Sequence, residues 1–248
     1  MGMELDLLAL GVLAGMTFVA TTVQGLTGFA FAVIMMPSVT LLLGIRTAAP
    51  LVALTALTLY VVNSVRFRAW LNLREVWRLG AAAGAGVPVG LWLAAAIPDA
   101  IVTGLLGAVL IAYGLYGLTH PSPPRRCSPR WAYLAGFLAG SLGGAYNTPG
   151  PPLAVYGALR QWPKEEYRAG LQALFFVSGT VTVLLHAVAH HLTSPILTLY
   201  ACTAPVLLAG ILTGTWLDRY VDTDRFRRLV SAMILLLGLA LVLNLGRH

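Results

Sequence analysis

The sequence predicts an all-α polytopic membrane protein made of two inverted-topology repeats of five segments each. The first reason is composition. Hydrophobic residues make up 58% of the 248 residues and charged residues only 10%, whereas soluble domains carry about 25% charged residues. Apolar runs near the roughly 20-residue spanning length fill most of the chain, and the mean hydropathy is +0.81. The other two reasons are a repeat of glycine motifs and the one-sided placement of the basic residues.

Two glycine motifs recur at nearly the same offset. GVLAG at 11–15 resembles GFLAG at 136–140, and GVPVGLW at 86–92 matches GILTGTW at 210–216. Because both matches have almost one offset, the chain is interpreted as two like halves joined by a linker rich in Pro and Arg. The predicted organisation is a first inverted repeat, a cytoplasmic linker and a second inverted repeat: 1–118, 119–130 and 131–248.

Each half contains five segments, and an odd number places the second half in the opposite orientation. The segment 151–161 is too short to span at about 1.5 Å rise per residue. The first two segments of each half are therefore predicted to form a broken or re-entrant helix pair. The segments are 5–21, 29–44, 47–65, 79–97 and 100–118 in the first half, and 131–146, 151–161, 168–189, 195–217 and 229–245 in the second.

The basic residues test this topology independently. If the linker is cytoplasmic, alternation places nearly all of the 16 Lys and Arg residues inside, with Arg46 and Arg247 as the exceptions. The positive-inside rule therefore predicts that both termini lie outside. The net charge of +7 marks the cytoplasmic face, and no nucleic-acid partner is expected. The basic residues predicted inside are Arg66, Arg68, Arg74, Arg78, Arg125, Arg126, Arg130, Arg160, Lys164, Arg168, Arg219, Arg225, Arg227 and Arg228.

The stretch QGLTGFAFAVIMMP at 24–37 interrupts the apolar pattern with polar residues and glycines. It predicts a helix that ends near Thr22 and a new helix that starts near Gly28. The first amides of that helix lack intrahelical partners and carry the positive end of its dipole, so they form an anion site. Gln24 and Thr27 add hydrogen-bond donors. The alternative is a glycine-lined helix crossing in which the Gln is satisfied by neighbours.

The second half has its own interruption, AYNTPGPPLAVYG at 145–157, where Gly150 aligns with Gly25 of the first half. Asn147 and Thr148 are favourable N-cap residues, and prolines suit a first helical turn. The alternative is an ordinary surface loop. Interrupted segments at corresponding positions of two halves indicate a transporter's midplane site.

Two further polar residues lie in predicted spans. Asn63 is costly to bury in a membrane and is a candidate substrate ligand. His186 is a candidate proton relay. His186 and His190 have metal-binding spacing, but without a nearby third ligand no metal site is expected. No cofactor is expected, and passive electrogenic movement or coupling through His186 is favoured over a carboxylate relay.

The sequence resembles the TauE/SafE family of bacterial sulfite and organosulfonate permeases. The resemblance rests on QGLTGFAFAVIMMP, on GFLAGSLGGAYNTPGPPLAVYGALR and on the following YRAGLQALF. It implies a multi-pass permease of the bacterial cytoplasmic (inner) membrane that moves sulfite, a sulfonate or another small anion. This chain has NTPGPP where members of the family often have a glycine-rich GxGGP-like run. The residues that the resemblance implies for substrate binding are Gln24, Gly25, Thr27, Gly28, Phe29, Asn147, Thr148, Gly150 and Pro151.

Three other functions compete with a sulfur-anion permease. They are a permease for a different small organic carboxylate, a non-transporting membrane subunit, and a membrane enzyme. No Ser-His-Asp set, HExxH motif or paired carboxylates are found, so we do not expect an enzyme. The expected partners are a small anionic substrate and the lipid bilayer. The sequence leaves open whether the protein forms a homodimer and whether it acts in uptake or in export.

Overall fold

The computed structural model describes residues 7–96, 99–119, 127–146 and 149–245. Within these residues all regular secondary structure is helical, as predicted, and each predicted segment corresponds to one helix. A short 3-10 turn, Arg68–Trp70, follows α3. The helices are α1 Leu7–Thr27, α2 Phe31–Leu43, α3 Ile45–Phe67, α4 Leu73–Ala96, α5 Asp99–Thr119, α6 Trp131–Tyr146, α7 Gly150–Leu159, α8 Lys164–Val188, α9 Ser194–Asp218 and α10 Thr223–Leu245.

Four helical stretches are long and apolar enough to cross a bilayer, counted over the described part of the chain. They are Leu8–Thr27, Arg46–Trp70, Lys164–Val188 and Ser194–Asp218. A spanning helix needs about 20 apolar residues, so these lengths are consistent with a helical membrane protein. By contrast, α7 has only 10 residues, which at 1.5 Å per residue is about half of a bilayer core.

The predicted boundary at the first interruption is wrong. The prediction ended the first helix near Thr22, but α1 continues to Thr27, and α2 begins at Phe31 rather than near Gly28. The glycine at position 25 does not unwind α1, because a neighbouring helix packs against it. The break is confined to three residues, and Gly28 takes the positive φ of 87° that closes it.

The chain divides into two compact units, each of which takes helices from both sequence halves. The first unit comprises Met1–Ala69 and Gln172–Tyr220, and the second comprises Trp70–Leu171 and Val221–His248. The first therefore contains α1, α2, α3, α9 and most of α8. The second contains α4, α5, α6, α7 and α10. Each sequence half contains five consecutive helices. The compact units therefore do not coincide with the sequence halves.

In the first unit, α1 packs on α9 through small residues. A Cβ atom on Gly210 would overlap the hydroxyl of Thr21, and a Cβ atom on Gly214 would lie 2.9 Å from the carbonyl oxygen of Thr22. Gly210 and Gly214 are four residues apart, which places both on one face of α9. This small-xxx-small spacing lets two helix backbones approach closely in a membrane.

In the second unit, α4 and α6 make a corresponding contact. Cβ atoms on Gly86 and Gly90 of α4 would overlap the backbone of Phe137 and Ser141 in α6. On the other side of this contact, Gly136 and Gly140 of α6 lie against the backbone of α4. The Ser141 hydroxyl also donates to the carbonyl oxygen of Gly86 at 3.2 Å. Both repeated glycine motifs of the second unit therefore serve helix packing.

Candidate functional site

The first interruption is closed by the side chain of Gln24, which lies near the end of α1 and is 1% exposed. Its Nε2 donates to the carbonyl oxygen of Gly28 at 2.9 Å. Its Oε1 accepts the backbone N–H of Phe31 at 2.8 Å. Ala30, the N-cap residue of α2, has no side-chain hydrogen bond to offer. Gln24 therefore caps α2 from seven residues upstream and satisfies one of the free amides at the start of that helix.

The other predicted residues of this stretch take different positions. Gly25 lies in α1 against Gly214, and the Thr27 hydroxyl donates to the Val23 carbonyl oxygen of its own helix at 2.9 Å. Phe29 is 3% exposed and lies in the connection between the helices. The Gly25 contact and the hydrogen bonds of Gln24 to its neighbours agree with the alternative of a glycine-lined crossing, whereas Gly28 and Phe29 form the break itself.

The start of α2 is buried. Ala30 and Phe31 are fully buried, and Ala32 is 8% exposed. The N–H groups of Ala32 and Val33 belong to the first turn, so they have no acceptor inside the helix. The positive end of the α2 dipole thus lies in surroundings with little water, where it attracts an anion more strongly than at an exposed helix end.

A second glutamine at this break was missed by the sequence interpretation. Gln172 of α8 is 1% exposed, and its Nε2 donates to the same Gly28 carbonyl oxygen at 2.9 Å. Its Oε1 is buried and has no hydrogen-bond partner among the described residues. The available signal was a lone Gln inside the apolar part of YRAGLQALF. Its partner is 144 residues away in sequence, so no local pattern could have identified the contact.

The second interruption lies in the second unit, between α6 and α7. Two of its predicted ligands, Asn147 and Thr148, lie outside the described residues. Pro149 is the N-cap of α7, so the prediction of Asn147 and Thr148 as N-cap residues is wrong, and Gly150 and Pro151 are buried in the first helical turn. The prediction of a proline-containing helix start is confirmed here.

The C-terminal end of α7 is held by an ion pair. Arg160, the residue that ends α7, places its Nη2 2.7 Å from the Oε1 of Glu75 in the first turn of α4. The Tyr156 hydroxyl donates to the other carboxylate oxygen at 2.5 Å. Glu75 is 4% exposed, so its buried charge is compensated by a cation and a phenol.

This ion pair also reaches the linker. Arg160 donates through Nη1 to the carbonyl oxygen of Cys127 at 2.9 Å, and the Cys127 N–H donates to the Leu159 carbonyl oxygen at 3.1 Å. Burial raises the pKa of the Cys127 thiol; the positive charge of Arg160 opposes this rise, and the negative charge of Glu75 adds to it. The linker end is thereby fastened to the short helix α7.

The two remaining candidates lie elsewhere in the first unit. Asn63 is in α3 and is 4% exposed. His186 is in the last turn of α8, with its Nδ1 3.1 Å from the Nδ1 of His191. The predicted helical spacing paired His186 with His190. However, α8 ends at Val188, and His190 has a positive φ of 56°. The chain therefore turns at His190, and it is His191 that contacts His186. Among the described residues no three metal-ligating side chains cluster.

Comparisons with known proteins agree with the sequence resemblance. The profile of the family described as "Sulfite exporter TauE/SafE" matches residues 13–241. A curated protein of Cupriavidus necator, named "Probable sulfite/organosulfonate exporter TauE", is 29% identical to this chain, over 96% of this chain and 94% of the relative. No solved structure matches the chain.

Proposed function

The chain belongs to the TauE/SafE family, and we propose that it is a permease moving sulfite or an organic sulfonate across the bacterial cytoplasmic membrane. Members of this family are transporters and not enzymes. The observation that carries the proposal is the buried start of α2, where backbone N–H groups face surroundings with little water. Oriented amides bind an oxyanion without a buried cation, so the site can also release it.

We assign substrate binding to both interruptions. Gln24 holds the first in shape, and the α2 amides that follow Gly28 and Phe29 donate to the anion, with Gly25 and Thr27 forming the end of α1. Asn63 adds a polar contact from α3. The second interruption is proposed as a binding segment of its own unit, by analogy with the first, because it has the same place in its half. Its proposed ligands are Asn147, Thr148, Gly150 and Pro151.

The proposed topology is multi-pass, with two inverted repeats, 1–118 and 131–248, around the cytoplasmic linker 119–130. Both termini are then outside. The distribution of Lys and Arg supports this orientation. The helix packing supports the repeat, because α1 packs on α9 and α6 packs on α4. In each pair, one helix opens a half and the other is the fourth helix of the opposite half.

Two properties of the transport cycle are proposed with it. His186 relays a proton if transport is proton-coupled; its contact with His191 pairs two Nδ1 atoms, so only one of them carries a proton in that hydrogen bond. The name of the relative describes an exporter, so outward movement is the direction that we test first. A homodimer is the oligomeric state to check by cross-linking in membranes.

Proteoliposomes containing the purified protein test the function. We expect saturable flux of radiolabelled sulfite, inhibited by sulfonates and not by acetate or other small carboxylates. Gln24→Ala and Asn147→Ala should each reduce the flux at least about tenfold if a hydrogen bond to the anion or its site is lost. Thr198→Ala, on an exposed position of α9, is the control and should transport normally.

The proposal fails if protein-containing liposomes pass sulfite and sulfonates no faster than empty ones. Flux of carboxylates alone would support the competing permease. Normal flux in folded Gln24→Ala and Asn147→Ala variants would leave the permease intact and remove these residues from its site.

A further inference from the structure

Gln24 and Gln172 donate to the same carbonyl group, but only Gln24 has a hydrogen-bond partner for its side-chain oxygen Oε1. The Gly28 carbonyl oxygen accepts from Nε2 of Gln24 and from Nε2 of Gln172, each at 2.9 Å, which uses both of its lone pairs. Gln24 has a second hydrogen bond, from the Phe31 N–H to its Oε1. Gln172 does not, since its buried Oε1 has no hydrogen-bond partner in the described part of the chain. Both polar atoms of the Gln24 amide are hydrogen-bonded, whereas the Gln172 amide offers a vacant acceptor.

The orientation of the Gln172 amide follows from chemistry. A carbonyl oxygen accepts hydrogen bonds only, so the nitrogen of Gln172 must face Gly28 and the oxygen must face away. A buried acceptor without a donor costs free energy, and native structures keep few of them. Such a group is explained if a ligand supplies the donor. The Nε2 atom of the same Gln172 side chain donates to Gly28, which is three residues before Phe31, the first residue of α2.

The ligand that completes this site must match two kinds of group. The α2 amides are donors and require anionic oxygen atoms. The Oε1 of Gln172 is an acceptor and requires an O–H or N–H. A fully deprotonated sulfite or a plain alkyl sulfonate has no donor, so it would leave this oxygen unsatisfied. Hydrogensulfite, or a sulfonate with a hydroxyl group, satisfies both.

We propose that Gln172 is a specificity residue of the anion site and selects monoanions that carry one hydrogen-bond donor. This inference rests on the proposed function and defines its substrate class. It also explains why a polar residue is buried in α8, where a packing role would be served by an apolar side chain of similar size. The contact with Gly28 alone does not require an amide, because Gln24 already donates to that carbonyl.

The first test compares two sulfonates of equal shape on the purified wild-type protein in nanodiscs. 2-Hydroxyethanesulfonate and propane-1-sulfonate differ by a hydroxyl in place of a methyl group. Isothermal titration should show about tenfold tighter binding of the hydroxy compound. Without an acceptor in the site, the more apolar propane-1-sulfonate would bind equally well or better. Equal or reversed affinities overturn the inference.

The second test uses a matched pair of variants. Gln172→Met keeps the length of the side chain and removes the vacant acceptor, so the hydroxyl preference should fall to about one. Gln24→Met disturbs the same turn but leaves Gln172 unchanged, so it should weaken both sulfonates in the same proportion and keep their ratio. A ratio that is unchanged in Gln172→Met, or lost equally in both variants, overturns the assignment. Should Gln172→Met fail to fold, the wild-type comparison still decides.

A competition experiment tests whether the proton of hydrogensulfite can serve as the hydrogen-bond donor to Gln172. Sulfite is titrated against bound 2-hydroxyethanesulfonate below and above the pKa of hydrogensulfite, with propane-1-sulfonate titrated at both pH values as the control. Stronger competition below that pKa supports selection of the protonated oxyanion, and equal competition at both pH values overturns it. If neither sulfonate nor sulfite binds, the proposed function fails together with this inference. If both sulfonates bind equally, only the inference fails.

Discussion

Gly25 of α1 and Gly214 of α9 meet backbone to backbone: a Cβ atom on Gly25 would lie 3.1 Å from the Cα atom of Gly214. Gly25 belongs to the stretch that the sequence predicted to be interrupted near the start of the chain, and Gly214 comes from the glycine motif near its end. The contact holds the C-terminal part of α1 against α9 directly before the break that leads to α2. A residue that the sequence associates with anion binding thus positions the helix that carries Gln24.

The first prediction concerns this contact. Gly214→Ala should destabilise the protein by about 1–3 kcal/mol, because the added Cβ meets backbone atoms that cannot move aside without shifting a helix. Gly11→Ala on α1 is the control, since a Cβ atom there has nothing within 4 Å in the described structure. Thermal unfolding in detergent should show a lower melting temperature for Gly214→Ala only. Equal melting temperatures would contradict the packing role.

The ion pair at the end of α7 gives the second prediction. Glu75→Gln removes the charge that compensates Arg160 and weakens the hydrogen bond from Tyr156, so it should destabilise the protein by about 1–3 kcal/mol. Glu165→Gln, in the first turn of α8 and partly exposed, is the matched control. The measurement is the melting temperature of each variant. A Glu75→Gln protein as stable as the control would show that the ion pair contributes nothing.

The third prediction is a pH dependence of the Cys127 thiol. Burial raises its pKa, and only the thiolate reacts with iodoacetamide. In a Cys202→Ser background, alkylation of Cys127 should therefore require a higher pH in the folded protein than in the unfolded protein, and it should be slower at neutral pH. The measurement is the alkylation rate as a function of pH by mass spectrometry. Coincident profiles for folded and unfolded protein would contradict it.

Topology provides the fourth prediction. The linker is predicted to be cytoplasmic, so a membrane-impermeant maleimide in alkaline buffer should label Cys127 in inside-out vesicles and not in right-side-out ones. A Met3→Cys variant in a Cys127→Ser/Cys202→Ser background should show the opposite pattern, because the N-terminus is predicted outside. Labelling of both positions from the same side would overturn the inverted arrangement.

Much of the fold could be predicted because the helix signals are local. Apolar runs, prolines and glycines locate the ends of the ten described helices to within six residues, and the short α7 is recognisable from its length alone. The end of α1 could not be located. Gly25 is a residue type that is typical of a helix break, yet α9 packs against it and α1 continues through it.

The repeated glycine motifs show the same limit. GFLAG in α6 and GVLAG in α1 look alike, but Gly136 and Gly140 lie against α4, whereas Gly11 and Gly15 have nothing within 4 Å in the described structure. Helix packing depends on the face and height at which a partner approaches. Two equal sequence motifs therefore need not share a packing role.

The sequence by itself determined the helical class, the two interruptions and the family, because hydropathy and backbone preference act within a few residues. The tertiary structure alone decided which polar groups meet. Gln24 accepts a hydrogen bond from the first N–H group of α2, and Gln172 of α8 donates a hydrogen bond to the carbonyl oxygen of Gly28. Glu75 forms an ion pair with Arg160. Hydrogen bonds and ion pairs require atoms within about 3 Å of each other, and only the packing of helices brings such distant residues that close.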